Sequence, residues 1–463
     1  MLLKENESAG TRALTQNEVF EQFQKFEAAI EDLFTKLHGS WAFVYCIYDL
    51  KKVFIGRDIY GKKSFLWSRY ENQLIISPLI TNKGLWNEIP SGTLSVVNLC
   101  NIWEDMKVVS PYSELSSPWT CAFGNVVFSV SESLHKKMFT LNRKLLHETE
   151  IDDLLEVDAF IKNFSHALQR CLVNFNNNTD SIAVLFSGGI DSLLIAVLLE
   201  PLVQQNCVID LINVAFGKKP EDFFKAPDRI RATKAYFFLR DKFPKIRYRL
   251  LLVNVTEEEL SICRSKYIAA LIAPSCSVLD DSIGCVQWFA ARGEGLLFEE
   301  GKETNKLINI RSTAKIAFVG SGADEIFGGY MRHRNCYIRD GRNAALDEME
   351  KELRIIGERN LGRDDRVTAF HERKMRAPYL DDLFVCWALN LPLEVKADFT
   401  KPRGIGEKKI IRHVLKNFGA PKEIYMTPKQ AMQFGTRIAH LEKANEKGND
   451  ICTRLISSAK NAI

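Results

Sequence analysis

The sequence predicts an α/β protein, built on a parallel sheet covered by helices on both faces and preceded by a smaller sheet domain. From Asp153 onward, apolar runs of strand length alternate with segments of helical period, the pattern of a sheet buried on both faces. Before about residue 110 the apolar runs are short and separated by turn residues instead, as in a small sheet domain. A chain of 463 residues, 46% hydrophobic and 26% charged, has the material for two or three domains, each with its own core.

The elements follow in order. Val19, Phe20, Phe23, Phe26, Ile30, Leu33, Phe34 and Leu37 recur at helical spacing over 17–38, and Gly39 ends the run. Strands are predicted at Trp41–Tyr48, Lys52–Gly56 and Gln73–Ser77, and the Ser- and Pro-rich stretch from Pro111 to Pro118 reads as a linker. An amphipathic helix from Val157 to Phe175 then leads to the strand Ile182–Phe186, a glycine turn and the helix Leu193–Leu199, which Pro201 stops. The strand Ile209–Phe216, a loop over 218–228, a helix near 228–241, and strands Arg247–Asn254 and Ile316–Val319 complete the pattern. This gives domains at 1–115 and 156–440, a linker at 116–155 and a polar tail at 441–463.

Composition narrows the function. The net charge of +4 is small for this length, and Lys and Arg are interspersed with Asp and Glu, so no nucleic-acid partner is expected. The most apolar stretch, Leu193 to Val203, is short and holds Glu200 and Pro201, so no membrane span is expected. The start, Met1-Leu2-Leu3-Lys4-Glu5, lacks the apolar core of a secretory signal. Eleven cysteines without a Cys-x-x-Cys pair suit reduced thiols in a cytosolic or nuclear compartment, with a cytoplasmic protein expected, and give no zinc signature.

The chemistry lies in two glycine turns. Ser187-Gly188-Gly189-Ile190-Asp191-Ser192 joins a buried strand to a helix start. That is where an open parallel sheet places ligands, and where backbone N–H groups and a helix N-terminus attract anions. No Gly-Lys-Ser/Thr follows, so the loop is not a Walker A motif. The bland reading is a tight turn with Asp191 as a helix cap. Gly320-Ser321-Gly322-Ala323-Asp324-Glu325 repeats the arrangement after a second strand. Its carboxylates can hold Mg²⁺ on phosphate oxygens or simply complement a helix dipole.

The first loop resembles the pyrophosphate loop of the ATP-pyrophosphatase superfamily, whose parallel-sheet domain is of the adenine nucleotide alpha-hydrolase type. Together with Gly320–Tyr330 it resembles the synthetase domain of the asparagine synthetase family, which includes the β-lactam synthetases. Arg363-Asp364-Asp365-Arg366 with Arg376-Ala377-Pro378-Tyr379-Leu380-Asp381, and Gly406-Glu407-Lys408 through Arg412 with Pro428-Lys429-Gln430, are similar to further segments of that family. Gly39–Phe43 and Ile55–Ser64 resemble parts of the αββα class II glutamine amidotransferase domain. Pro227-Asp228-Arg229, Leu279–Cys285 and Ala431–Gly435 look most like the family's divergent branch of asparagine synthetase domain-containing proteins.

The resemblance implies ATP and Mg²⁺ as cofactors, and aspartate with glutamine or ammonia as substrates. It implies that aspartate is adenylylated to β-aspartyl-AMP and amidated to asparagine. On this reading Ser187, Gly188, Gly189, Ser192, Ser321 and Gly322 surround phosphate, and Leu185 and Val214 flank adenine. Asp191 and Asp324 hold the metal. Glu325, Lys429 and Asp365 are the catalytic set, and Lys408 joins Lys429 against the leaving pyrophosphate, although a solvated helix face is the alternative for both lysines.

Two departures weigh against full activity. The family's amidotransferase half uses an N-terminal cysteine, whereas this chain begins Met1-Leu2 and its first cysteine is Cys46, so either the sequence is an N-terminally truncated form or the glutaminase half is expected to be inactive. Arg57 and Asp58 resemble glutamine-pocket residues, but without the nucleophile a structural or interdomain role is expected for them. Lys374 stands where the family has a glutamate, and its charge is expected to invert the field near the acceptor. The alternative is therefore a nucleotide-binding scaffold or assembly protein, with a protein partner or homo-oligomer left open.

Overall fold

The computed structural model describes residues 36–48, 51–71, 73–98, 128–129, 138–146, 153–175, 181–205, 207–303 and 306–441, with isolated positions before 36. The polar tail beyond 441, nearly all of the helix predicted at 17–38 and most of the predicted linker lie outside the described residues, but Met138, Phe139 and Leu141 of that linker are buried in the larger core.

The first part of the chain forms strands β1 (Ala42–Ile47), β2 (Lys52–Arg57), β3 (Leu66–Tyr70), β4 (Gln73–Ser77), β5 (Leu85–Glu88), β6 (Thr93–Asn98) and β7 (Phe128–Ser129). They make two antiparallel sheets, β1-β2-β6-β7 and β4-β3-β5. Ile55 from β2 and Trp67 from β3 share one buried cluster with Phe65 and Ile89, which fastens the sheets together.

The larger part contains β8 (Ile182–Leu185), β9 (Val208–Gly217), β10 (Arg247–Thr256), β11 (Glu294–Leu297), β12 (Asn309–Arg311), β13 (Ile316–Phe318) and β14 (Lys374–Arg376), in the order β12-β11-β10-β9-β8-β13-β14. The strands from β10 to β14 in that order run parallel. β11 and β12 add an antiparallel edge that the sequence pattern had not suggested.

The strands are apolar throughout because alternate residues enter two different cores. Ile182, Val184, Ile209, Leu211, Leu250, Leu252, Ile316 and Phe318 face one. Ala183, Ile212, Val214, Leu251, Val253 and Ala317 face the other, which is the period-two consequence of burial on both sides. Helices α1 (Asp153–Cys171), α2 (Ile190–Leu199), α3 (Pro227–Lys242), α4 (Val278–Arg292), α5 (Gly362–Ala369), α6 (Asp382–Asn390) and α7 (Lys409–Asn417) form the cover. The loop predicted over 218–228 instead contains a helical turn, Pro220–Phe224. The Asp222 carboxylate accepts from Lys218 N and Lys219 N at 3.2 Å each and fixes its start.

The two parts meet through buried charge. Glu88 accepts from Arg57 Nη1 at 2.9 Å and from Arg366 Nη1 at 2.7 Å, and both guanidinium groups are nearly inaccessible. Lys62 Nζ donates to Asp382 Oδ1 at 2.8 Å and to Leu380 O at 3.1 Å. A Cβ added at Gly357 would fall 2.8 Å from Tyr60 O and from Ser91 Cβ, so the backbones themselves are in contact there.

Glu88→Ala strands two buried guanidinium groups, and chemical denaturation should show a loss of about 3–5 kcal/mol; Glu88→Gln, which keeps acceptor capacity, should lose less. At Gly188 the backbone has φ +70° and an added Cβ would lie 2.2 Å from Ala232 N, whereas at Gly189 the nearest atom is Ser187 Oγ at 3.1 Å. Gly188→Ala should therefore cost about 2 kcal/mol or more, and Gly189→Ala clearly less, by the same measurement.

Candidate active site

A cavity of about 430 Å³ opens beyond the carboxyl ends of β8, β9 and β13. The chain runs outward from β8 to β9 and β10, then returns to place β13 on the other side of β8. Adjacent β8 and β13 thus form a topological switch point, where loops diverge and leave room for a ligand. Both glycine turns open there.

The first turn is held by its own side chains. Gly189 N donates to Ser187 Oγ at 3.2 Å, and Ser192 Oγ donates to Gly189 O at 3.2 Å. Gly188, with positive φ, lets the turn lie against the backbone of α3. Gly189 is the N-cap of α2, so Asp191 sits inside the first turn and is not the cap. Its backbone carbonyl accepts from Tyr379 OH at 3.1 Å.

The second turn comes within contact of the first, since a Cβ added at Gly320 would lie 3.0 Å from Asp191 Cβ. Gly322 has φ +96° and an added Cβ would meet Leu380 Cγ at 2.6 Å. The following helical turn, Ala323–Ile326, points Asp324 and Glu325 into the cavity. Glu325 Oε1 accepts from Tyr330 OH at 2.7 Å.

Two lysines reach these carboxylates. Lys408 Nζ lies 2.5 Å from Asp191 Oδ2 and 2.8 Å from Asp324 Oδ1. Lys429 Nζ pairs with Asp324 Oδ2 and sits 4.4 Å from the centre of the Tyr330 ring. Lys408 is 1% exposed, which removes the solvated-face alternative for it. Lys429 belongs to the loop before the helical turn Met432–Gly435, not to a helix.

Charges set the protonation pattern. Burial opposes ionisation of Asp324, but Lys408 and Lys429 outweigh it and hold the carboxyl well below the usual range. Burial, followed by the Asp324 charge, raises Glu325 instead. Burial alone would depress Lys408, but Asp191 and Asp324 more than offset it and keep the ammonium protonated. Neighbouring carboxyls are thereby pushed apart, one fixed as an anion and one readier to carry a proton.

The remaining walls divide by character. Leu185, Ile212 and Val214, with Val286 and Ala290 of α4 and Met432, form the apolar part of the lining. On the opposite side Arg332, Arg359 and Arg363 face the cavity near Glu325. Arg363 is buried, donating to Asp280 Oδ1 at 2.5 Å and to Asp364 Oδ1 at 2.9 Å. Asp228 also lines the cavity; burial pushes its carboxyl up to about 6, against the pull of Arg231. Sequence reasoning missed the α4 wall and the arginines, because only the folded chain brings them to the turns.

Ser187, Gly188, Gly189, Asp191, Ser192, Leu185, Val214, Ser321, Gly322, Asp324, Glu325, Lys408 and Lys429 all line the cavity. Asp365 does not. It accepts from Lys63 Nζ at 2.7 Å and Ser64 N at 2.9 Å, so it ties the two parts of the chain together. Successive helical residues point apart, which turns Asp364 to the cavity and Asp365 away from it.

Lys374 also falls elsewhere. It is exposed at the first residue of β14, paired with Ile316 at the start of β13, and so lies at the end of the parallel sheet opposite the cavity. Its register places Lys374 away from the carboxylates of the cavity, against the expectation that it stands beside the acceptor. Arg57 and Asp58 are both buried. Arg57 donates to Gly61 O at 2.8 Å and Gly357 O at 3.4 Å, and Asp58 accepts from Lys62 N at 3.0 Å, so their polar groups build the interdomain turn.

The fit to Mg²⁺ can be judged from the donors. Asp191 Oδ1 is buried without a hydrogen-bond partner, and Asp324 lies beside it. Among the described residues no third His, Cys, Asp or Glu completes a metal cage. Two carboxylates with the other positions left to phosphate and water suit Mg²⁺, and the residues fit that ion on a nucleotide.

Comparison with known proteins gives a consistent picture. Residues 347–460 match the asparagine synthase family. Asparagine synthetase domain-containing protein 1 of Homo sapiens is 33% identical over 531 aligned residues, covering 93% of this chain and 82% of the human protein. The protein of the same name from Bos taurus is 31% identical, with 93% and 82% covered. A putative glutamine-hydrolyzing asparagine synthetase of Methanocaldococcus jannaschii is 24% identical, with 88% of this chain and 70% of that protein covered. No helix among the described residues is long and apolar enough to cross a membrane. With this coverage and the two glycine turns at one switch point, the chain belongs to the asparagine synthetase family, in its divergent branch of asparagine synthetase domain-containing proteins.

Proposed function

We propose that the cavity binds ATP with Mg²⁺ and transfers the adenylyl group to the side-chain carboxylate of aspartate. Pyrophosphate is released, and ammonia then converts the β-aspartyl-adenylate to asparagine and AMP. The observation that carries this reading is the pairing of Lys408 and Lys429 with Asp191 and Asp324 where the two glycine turns meet. Cleavage between the α- and β-phosphates concentrates negative charge on the departing pyrophosphate. Two preplaced ammonium groups and the start of α2 lie where that charge develops.

The residues divide the work. Leu185, Val214 and the α4 wall take the base. The N–H groups of the Ser187–Gly189 turn face the phosphates. Bound Mg²⁺, held by Asp191 and Asp324, supplies charge neutralisation at the phosphate oxygens. Arg332 and Arg359 offer partners for the α-carboxylate of the acceptor. Glu325, with its raised pKa and the Tyr330 hydroxyl on Oε1, is suited to take a proton from the attacking amine. Arg57 and Asp58 spend their polar groups on the interdomain turn, and in this reading ammonia serves as the nitrogen source. The partners are small molecules of the cytoplasm.

Pyrophosphate release should require ATP, Mg²⁺ and aspartate together, continue with ammonia as the sole nitrogen source, and stop on chelation of the metal. Asp191→Asn or Asp324→Asn should each lower the rate by about 100-fold or more. ATP binding without aspartate-dependent release would leave the chain a nucleotide-binding scaffold and overturn the enzyme reading. Lys374→Glu, a change at an exposed edge, should leave the same rate within about twofold; a large effect would return Lys374 to the site.

A further inference from the structure

Lys408 stands where a cation is wanted. Its ammonium bridges Asp191 Oδ2 and Asp324 Oδ1 at 2.5 and 2.8 Å, so the two carboxylates proposed for the metal already share a positive charge. Lys429 takes the second oxygen of Asp324. The four groups sum to no net charge. A bare divalent ion approaching them meets two ammonium groups at contact range, and gains the carboxylates only by expelling one of them.

Expulsion is hindered by the way Lys408 is held. Its backbone lies in the left-handed region at φ +54° as the N-cap of α7, and its N–H donates to Phe327 O at 3.0 Å. The side chain is buried against Gly329, where an added Cβ would sit 2.4 Å from Lys408 Cε and collide with Asp324 Oδ1. The stem is packed closely on the Gly329 side, and Lys408 lines the cavity. A nucleotide changes the balance because its phosphates offer the ammonium a new partner there. Asp191 Oδ2 and Asp324 Oδ1 are then released toward the metal that the nucleotide carries, and Asp191 Oδ1 has no hydrogen bond to give up.

We infer that Lys408 gates the metal: the Asp191–Asp324 pair accepts a divalent cation as part of a metal–nucleotide complex and rejects the bare ion. This rests on the ATP and Mg²⁺ reading above, but it concerns the order of entry and can fail separately. Lys408 is in this sense a positioning residue for the metal, in addition to any contact with pyrophosphate.

The test uses Mn²⁺ as the probe ion and the full chain, read by calorimetry and by the electron paramagnetic resonance signal of free Mn²⁺. The wild-type chain should show no stoichiometric Mn²⁺ binding without nucleotide. Lys408→Gln should acquire one Mn²⁺ per chain, bound tighter by roughly tenfold or more once the competing charge is gone, and Lys408→Gln with Asp191→Asn should lose it. Lys408→Met repeats the test with no polar end group, and circular dichroism shows that each variant is folded. Equal Mn²⁺ binding by wild type and both Lys408 variants would overturn the gate, as would no binding by any of them. In a separate arm, failure of wild type to bind ATP with Mn²⁺ would overturn the ATP reading, while the bare-ion result would still decide the gate.

Discussion

Asp191 and Asp324 follow adjacent parallel strands, each in the helical turn after a glycine turn, and lie close enough to touch one ammonium group, an arrangement that two unpaired carboxylates in a half-buried site would resist. Lys408 makes it possible. Its charge compensates both acids, holds α2 and the Ala323–Ile326 turn at a common distance, and fixes Asp324 as an anion. Burial raises the pKa of Glu325 and the fixed anion adds to it, while Lys429 takes the other oxygen of Asp324. A site that gathers anionic phosphates, a divalent ion and an acidic acceptor needs its charges fixed in advance, because reorganising them during reaction would cost rate.

The smaller sheets contribute to the same site from behind. Glu88 and Asp382 take buried cations across the junction, and Gly357 lies against Tyr60 and Ser91. The segment from Gly357 to Asp365 carries Arg359, Arg363 and Asp364 on its cavity side and Asp365 on its interdomain side. One short stretch is therefore braced by the first part of the chain while it lines the acceptor wall of the second. Buried ion pairs are a costly way to gain stability, and their concentration here is better understood as fixing how the two parts meet.

Much of the large sheet was legible because burial on both faces leaves long apolar runs between helical segments, as at Ile182–Leu185 and Val208–Gly217. The antiparallel edge β11–β12 was not, because Glu294–Leu297 and Asn309–Arg311 are short and mixed in polarity. β3 and β5 escaped for the same reason. The glycine turns were legible because strand, glycine pair and helix start are consecutive in the chain. Spatial neighbours were harder. Lys408 and Lys409 are indistinguishable as adjacent letters, and only the left-handed backbone at Lys408 turns one of them into the site. Asp364 and Asp365 pose the same problem, and a sequence motif cannot say which of two neighbouring acids faces a cavity. Lys374 shows the converse, since a substitution within a recognisable motif proved to lie at the far end of the sheet.

The central claim is that the site couples ATP to a carboxylate through an acyl-adenylate. Aspartate labelled with heavy oxygen on its side-chain carboxylate tests it most directly, with the products read by phosphorus NMR. Attack of that carboxylate on the α-phosphorus leaves its oxygen on AMP once ammonia displaces the adenylate, so one labelled oxygen in AMP beside released pyrophosphate is the predicted result. Formation of ADP and phosphate, or AMP free of label, would contradict it.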